Sequence, residues 1–194
     1  MNSVKLTKQH LVYCFDVLTE YLANHEILPY PKDLSDYSSP LFVTLKETKS
    51  DDLRGCIGTF QSDLLSKNLS RYTLNSGFND SRFPPLEKSE LKGLTVSLSI
   101  LHNFNKRNKW DDWEVGKHGI EIDFEANGCE YGGTFLPEVA AEQNWDREET
   151  LKYLIRKSGY RGDYKKVLGS IELRTYESLK DKMSYQEYLE FKAK

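Results

Sequence analysis

Arg54 and Cys56 stand two residues apart in Leu53-Arg54-Gly55-Cys56-Ile57-Gly58-Thr59-Phe60. A thiol acts as a nucleophile or redox group through its thiolate, which a nearby guanidinium stabilises. In an extended chain, residues two apart share a face, so Arg54 would lie beside Cys56. Gly55 and Gly58 admit backbone approaches that a Cβ would block, suiting a surface that meets a ligand closely. A buried, inert cysteine on a strand explains Cys56 equally simply, since free cysteine is among the most buried residue types. Arg54 has two readings as well. Its planar fork suits a carboxylate or phosphate, and it equally suits a structural ion pair with Asp80 or Glu138.

Of the four histidines, His118 is the best acid–base candidate. It stands in Gly116-Lys117-His118-Gly119, where a glycine-flanked turn can present an imidazole to a cleft. A loop-fixing histidine is the competing reading. Asp80 and Arg82 precede Pro84-Pro85 and read best as a salt-bridged corner. Glu138 follows Pro137 in the first turn of a helix, where the helix dipole alone favours a carboxylate. The candidate catalytic pair is thus Cys56 and His118. The candidate binding set is Arg54, Gly55, Gly58, Asp80, Arg82 and Glu138. No metal ligand set is legible, because Cys14, Cys56 and Cys129 fall in no metal-like spacing. Phosphate-loop, dinucleotide, nucleophile-elbow and zinc-protease patterns do not occur, and no cofactor is expected.

Several elements must position these residues. Apolar residues at Leu11, Cys14, Phe15, Leu18, Tyr21 and Leu22 predict an amphipathic helix from Thr7 to about His25, with Cys14 as a core residue. Leu41–Leu45 predicts a strand, and Asp51-Asp52 a turn into the Arg-Gly-Cys stretch. A helix follows over about 64–78, with Leu65, Leu69 and Tyr72 inward. Leu94–Ile100 alternates strictly and predicts a strand. Asn105–Trp110 reads as a basic loop, for which solvation is the simpler role than a nucleic-acid contact. Ile120–Phe124 and Tyr131–Phe135 predict a hairpin about Asn127-Gly128. Further helices are predicted over 138–143, from Asp146 to Gly159, and after the capping box Ser184–Glu187, with a strand over 171–176. Strands that come mostly as neighbours, with helices mostly at the ends, predict an α+β fold with an antiparallel-rich sheet and flanking helices.

The chain has 194 residues, 38% apolar and 29% charged, enough for one sizeable domain. A net charge of −3 supplies no drive toward nucleic acid or anionic membranes. No apolar run approaches the ~20 residues that span a bilayer. The N-terminus has no secretory apolar core and the cysteines are odd in number, so we expect a reducing compartment, cytoplasmic and/or nuclear.

Four segments together resemble the AMMECR domain family: Leu53–Phe60, Asp80–Leu86, Trp113–Ile120 and Leu136–Ala140. Asn144-Trp145-Asp146 and Tyr185–Leu189 add to the match, which runs from about Leu11 to Leu189. The sequence departs from the family pattern at Tyr131-Gly132-Gly133-Thr134, where strand regularity is in question. The resemblance implies one domain over 5–192, with a larger lobe from both chain ends, a smaller inserted lobe and a groove between them near the Arg-Gly-Cys motif. We expect the smaller lobe at roughly 61–93. The resemblance assigns no reaction. From the residues of the motif we expect a binding or adaptor module for an unknown protein or a small anionic ligand, with Arg54 as anchor, the alternative being a thiol-dependent enzyme or modification-pathway component with Cys56 as nucleophile. Prokaryotic relatives fused to, or encoded near, radical-SAM and Memo-like proteins imply a link to modification chemistry.

Overall fold

The computed structural model describes residues 4–194. Helix α1 (Lys8–Asn24) begins where expected, with the Thr7 backbone N–H donating to His10 Nδ1 at 3.1 Å. It ends at His25, whose left-handed backbone returns its N–H to the Tyr21 carbonyl. Strands β1 (Ser38–Glu47) and β2 (Leu53–Leu64) are joined by a turn in which Asp51 has φ 61°. Helix α2 (Leu65–Phe78) leads through Asp80–Pro85 to a 3-10 helix (Lys88–Gly93) and then β3 (Leu94–Arg107). The hairpin of β4 (Gly119–Ala126) and β5 (Cys129–Phe135) turns at Asn127 and Gly128, both at positive φ as a two-residue hairpin requires. Helices α3 (Pro137–Glu142) and α4 (Arg147–Lys157), strand β6 (Glu172–Ser184) and helix α5 (Tyr185–Lys192) complete the α+β fold. The strand order is β2-β1-β3-β6-β4-β5.

The chain divides into two compact units. The first comprises the residues up to Leu101 with Leu179–Lys194, and the second is the inserted segment His102–Ser178. Residues 61–93, expected as the smaller lobe, lie in the first unit. The physical reason is that Leu65 and Leu69 of α2 are fully buried in the same core as Leu11, Phe15 and Leu18 of α1 and Leu41, Val43 and Leu45 of β1. Leu94, Val96, Leu98 and Ile100 of β3 line that core with the expected alternation. Cys14 lies fully buried within it, and desolvation pushes its thiol up to about 12, an inert core residue as expected.

The second unit has its own core of Ile120, Ile122, Phe124, Leu151, Leu154, Ile155 and Leu173, closed by Trp113 and Tyr160. Two local expectations fail here. Asn105–Arg107 belongs to β3, so the basic loop is shorter than its composition suggested. The Tyr131–Thr134 stretch is regular, pairing in unbroken register with Phe124, Asp123, Ile122 and Glu121. The β4 partner holds the glycines extended where intrinsic propensity would not.

Candidate functional site

The Arg-Gly-Cys stretch lies on β2, at one end of the strand order. Its register against β1 slips once within the motif. Leu45 pairs with Gly55 and Lys46 with Leu53, which leaves Arg54 as an extra residue without a partner across the ladder. A bulge re-aims side chains, and the side chains of Arg54 and Cys56 take different partners.

Arg54 turns instead to Glu90 of the 3-10 helix, with Nε donating to Oε1 at 2.6 Å and Nη2 to Oε2 at 3.0 Å. This pair replaces the expected partners Asp80 and Glu138. Glu90 also accepts the Glu87 backbone N–H at 2.7 Å. The Arg54 contact, foremost, holds the Glu90 carboxyl below its ordinary range. Arg54 is 8% exposed, and its Nη1 is buried with no hydrogen-bond acceptor among the described residues. Arg54 also lines a pocket of about 220 Å³ with Glu47, Lys49, Ser89, Glu90 and Gly93.

Cys56 is half-buried beside its cross-strand neighbour Thr44, with 3.2 Å between Sγ and Oγ1. The cation next to it is Arg82, not Arg54. Arg82 Nη2 donates to the Cys56 carbonyl at 3.1 Å, while the Cys56 N–H donates to Asp80 Oδ2 at 2.9 Å. Asp80 and Arg82 therefore serve the outer edge of β2 much as a neighbouring strand would, one accepting and one donating. They also pair with each other, Arg82 Nη2 to Asp80 Oδ2 at 2.7 Å and Nε to Oδ1 at 2.9 Å. That contact, the largest influence, holds the buried Asp80 carboxyl far below the ordinary carboxylate range.

The two glycines face the chain itself. A Cβ on Gly55 would lie 2.0 Å from the Ser76 carbonyl oxygen of α2, and one on Gly58 would lie 2.3 Å from the Phe42 ring. Ser76 explains the first approach, since its hydroxyl accepts the Ile57 N–H and donates to the Val43 carbonyl, tying α2 to two strands.

His118 and Glu138 belong to the second unit and Cys56 to the first. His118 Nδ1 accepts the Glu114 backbone N–H at 3.0 Å, and the His118 N–H donates to the Glu114 carbonyl at 3.0 Å. This reciprocal bond places the neutral ring's proton on Nε2. Burial, followed by the charges of Arg107 and Lys117, lowers the His118 pKa and favours that neutral form. His118 lines a depression of about 290 Å³ in this unit. Glu138 lies in the first turn of α3 and adds to the field that raises the buried Tyr176 hydroxyl's pKa, burial itself being the main cause.

Sequence reasoning missed Glu90, Ser76 and Lys49. Glu87 and Glu90 carry a local capping signal, but nothing local links Glu90 to Arg54, 36 residues away. Among the described residues, no group of three or more His, Cys, Asp and Glu side chains is arranged to hold a metal ion. No described helix is long and apolar enough to cross a membrane.

The AMMECR1 family profile matches residues 11–180. An uncharacterised protein of Schizosaccharomyces pombe is 41% identical over 185 residues, covering 94% of this chain and 95% of that protein. An uncharacterised Arabidopsis thaliana protein is 38% identical over 195 residues, covering 97% and 90%. The fold is similar to the crystal structure of an uncharacterised Pyrococcus horikoshii protein, with a TM-score of 0.72 at 24% identity over 90% of this chain and 89% of that one. The chain belongs to the AMMECR1 family.

Proposed function

We propose that this AMMECR1-family chain is a binding or adaptor module whose ligand engages the pocket beside Arg54 in the first unit. The observation that carries the reading is the spare capacity of Arg54. Two of its nitrogens are committed to Glu90, while Nη1 is buried without an acceptor and the side chain lines a pocket of about 220 Å³. A buried donor left unmade costs about 1–3 kcal/mol, and since Nη1 is closed to solvent, an acceptor in the pocket recovers that amount by drawing the guanidinium outward. Lys49 offers a further donor on a pocket wall that also carries Glu47, and suits a carboxylate from a small molecule or a protein partner. Pocket size restricts the group to a single side chain or chain terminus.

Acetate and inorganic phosphate serve as probes in a titration followed at the backbone N–H resonances of Ser89 and Gly93 on the pocket wall. The reading requires a saturable shift that Arg54→Lys removes and Cys56→Ser retains. A flat titration with both anions would sink it.

The alternative is a thiol-dependent reaction at Cys56. It draws support from the half-buried thiol with the Arg82 guanidinium on its own carbonyl. Its test is alkylation of Cys56 against pH with Cys14 and Cys129 replaced by Ala. A midpoint clearly below the ordinary thiol value of ~8.5 supports it, and labelling only on unfolding rejects it.

A further inference from the structure

In the second unit, the depression that contains His118 is lined also by Arg107, Asp111, Asp112, Glu114 and Arg147. A more open depression of about 440 Å³ shares Asp111 and Arg147 with it and adds Trp110 and Val115. Most of the charges around these two depressions already have partners. Arg107 faces Asp112 at 3.7 Å, and Glu114 faces Lys117 at 3.7 Å. Asp146 caps α4 through the Glu149 N–H, and Glu148 accepts the Tyr164 hydroxyl.

Two charges remain. Among the described residues, the side chains of Asp111 and Arg147 make no ion pair or hydrogen bond, although both line both depressions. Opposite charges that face the same space without pairing suit a ligand that carries both signs. A dianionic phosphate is disfavoured by Asp111, Asp112 and Glu114, which face the same depression. A small zwitterion, with no net charge, meets less repulsion.

We propose that this double depression binds a free α-amino acid with a branched aliphatic side chain. The carboxylate meets the Arg147 guanidinium and the Nε2–H of His118, which the Glu114 backbone N–H keeps as the donor nitrogen of the neutral ring. The ammonium meets Asp111. The aliphatic group lies against Trp110 and Val115, where burial of a Leu-sized side chain contributes favourably. The site lies wholly within the second unit and is independent of Arg54.

The test uses the full, isotope-labelled chain titrated with L-leucine, followed at the Trp110 indole N–H. Isocaproate, which lacks the amine, and isoamylamine, which lacks the carboxylate, are titrated in parallel. The expected result is saturable leucine binding, with each analogue weaker by about tenfold or more. Arg147→Ala and Asp111→Asn should each weaken leucine binding by a similar factor with the thermal midpoint unchanged, while Arg54→Lys leaves it intact. Absence of a leucine-dependent shift at saturation would overturn the proposal. So would isocaproate binding as tightly as leucine, or an Arg147→Ala protein that binds leucine like the parent.

Discussion

The neighbourhood of the Arg-Gly-Cys stretch and the neighbourhood of His118 differ in how their polar groups are committed. On β2 nearly every polar atom of the motif is tied to another part of the first unit, through Asp80, Arg82, Ser76 and Glu90. Around His118 most ties are local, within Arg107–His118, apart from Arg107 Nε donating to Thr175 Oγ1, and Asp111 and Arg147 are left over. The polar groups of the dense motif are largely spent within the first unit, closing a strand edge and admitting a helix, with Arg54 Nη1 the exception. The sparser region leaves Asp111 and Arg147 without an ion pair or side-chain hydrogen bond among the described residues. Residue density in a motif and availability for binding are separate properties.

The largest effect that would break this contrast is expected at Gly55. A Cβ there meets backbone rather than a yielding side chain, so Gly55→Ala should cost about 3 kcal/mol or more in urea unfolding. Gly93→Ala, with open space around the added Cβ, should stay within about 0.5 kcal/mol. Equal costs at both positions would remove the structural reading of the motif glycine.

Next comes Asp80→Asn, which removes the carboxylate shared by the Cys56 N–H and Arg82. A loss of about 2–3 kcal/mol is expected, because a charged acceptor is lost from a buried position while the exposed Arg82 can turn to water. The same group makes a pH prediction. Its folded pKa is depressed, so its contribution is complete above the ordinary Asp value and fades as pH falls below it toward the folded one. The parent should therefore lose stability below about pH 4 more steeply than Asp80→Asn.

His10 should give a smaller, separate effect. It is fully buried in the first unit, its Nδ1 accepts the Thr7 N–H, and burial above all lowers its pKa. Its contribution is present above about pH 6.5 and is lost as pH falls from there toward the folded value. Thermal midpoints between neutral and mildly acidic pH should fall in the parent, and the His10→Asn protein should show a shallower slope.

The smallest stability effect, and the sharpest for the comparison, is Arg147→Ala. It should leave stability within about 0.5 kcal/mol, since among the described residues the side chain has no ion pair or hydrogen bond to lose. A clear loss of stability would mean that this region is as internally committed as the motif.

Most elements were legible because their causes are local. The period of Leu11, Phe15 and Leu18 dictates a helix, the alternation of Leu94 to Ile100 a strand, and Asn127-Gly128 a hairpin turn. The Asp80–Arg82 corner was legible for the same reason, two oppositely charged residues two positions apart before a proline stop. The smaller lobe was misplaced because α2 carries a helix signal but no signal for which core it joins. The partner of Arg54 was not legible, because Glu90 lies 36 residues away and the bulge at Arg54 is a property of two strands in register, visible only once β1 is paired with β2.

The residues alone determined the α+β class, the family and the chemistry on offer, since residue types and short periods carry that information. Tertiary structure decided which groups are spent and which are free. Glu90 reaches Arg54, Ser76 claims the space over Gly55, and Arg82 rather than Arg54 stands by Cys56. Those pairings join residues 21 to 36 positions apart, beyond the range over which local conformational preference acts.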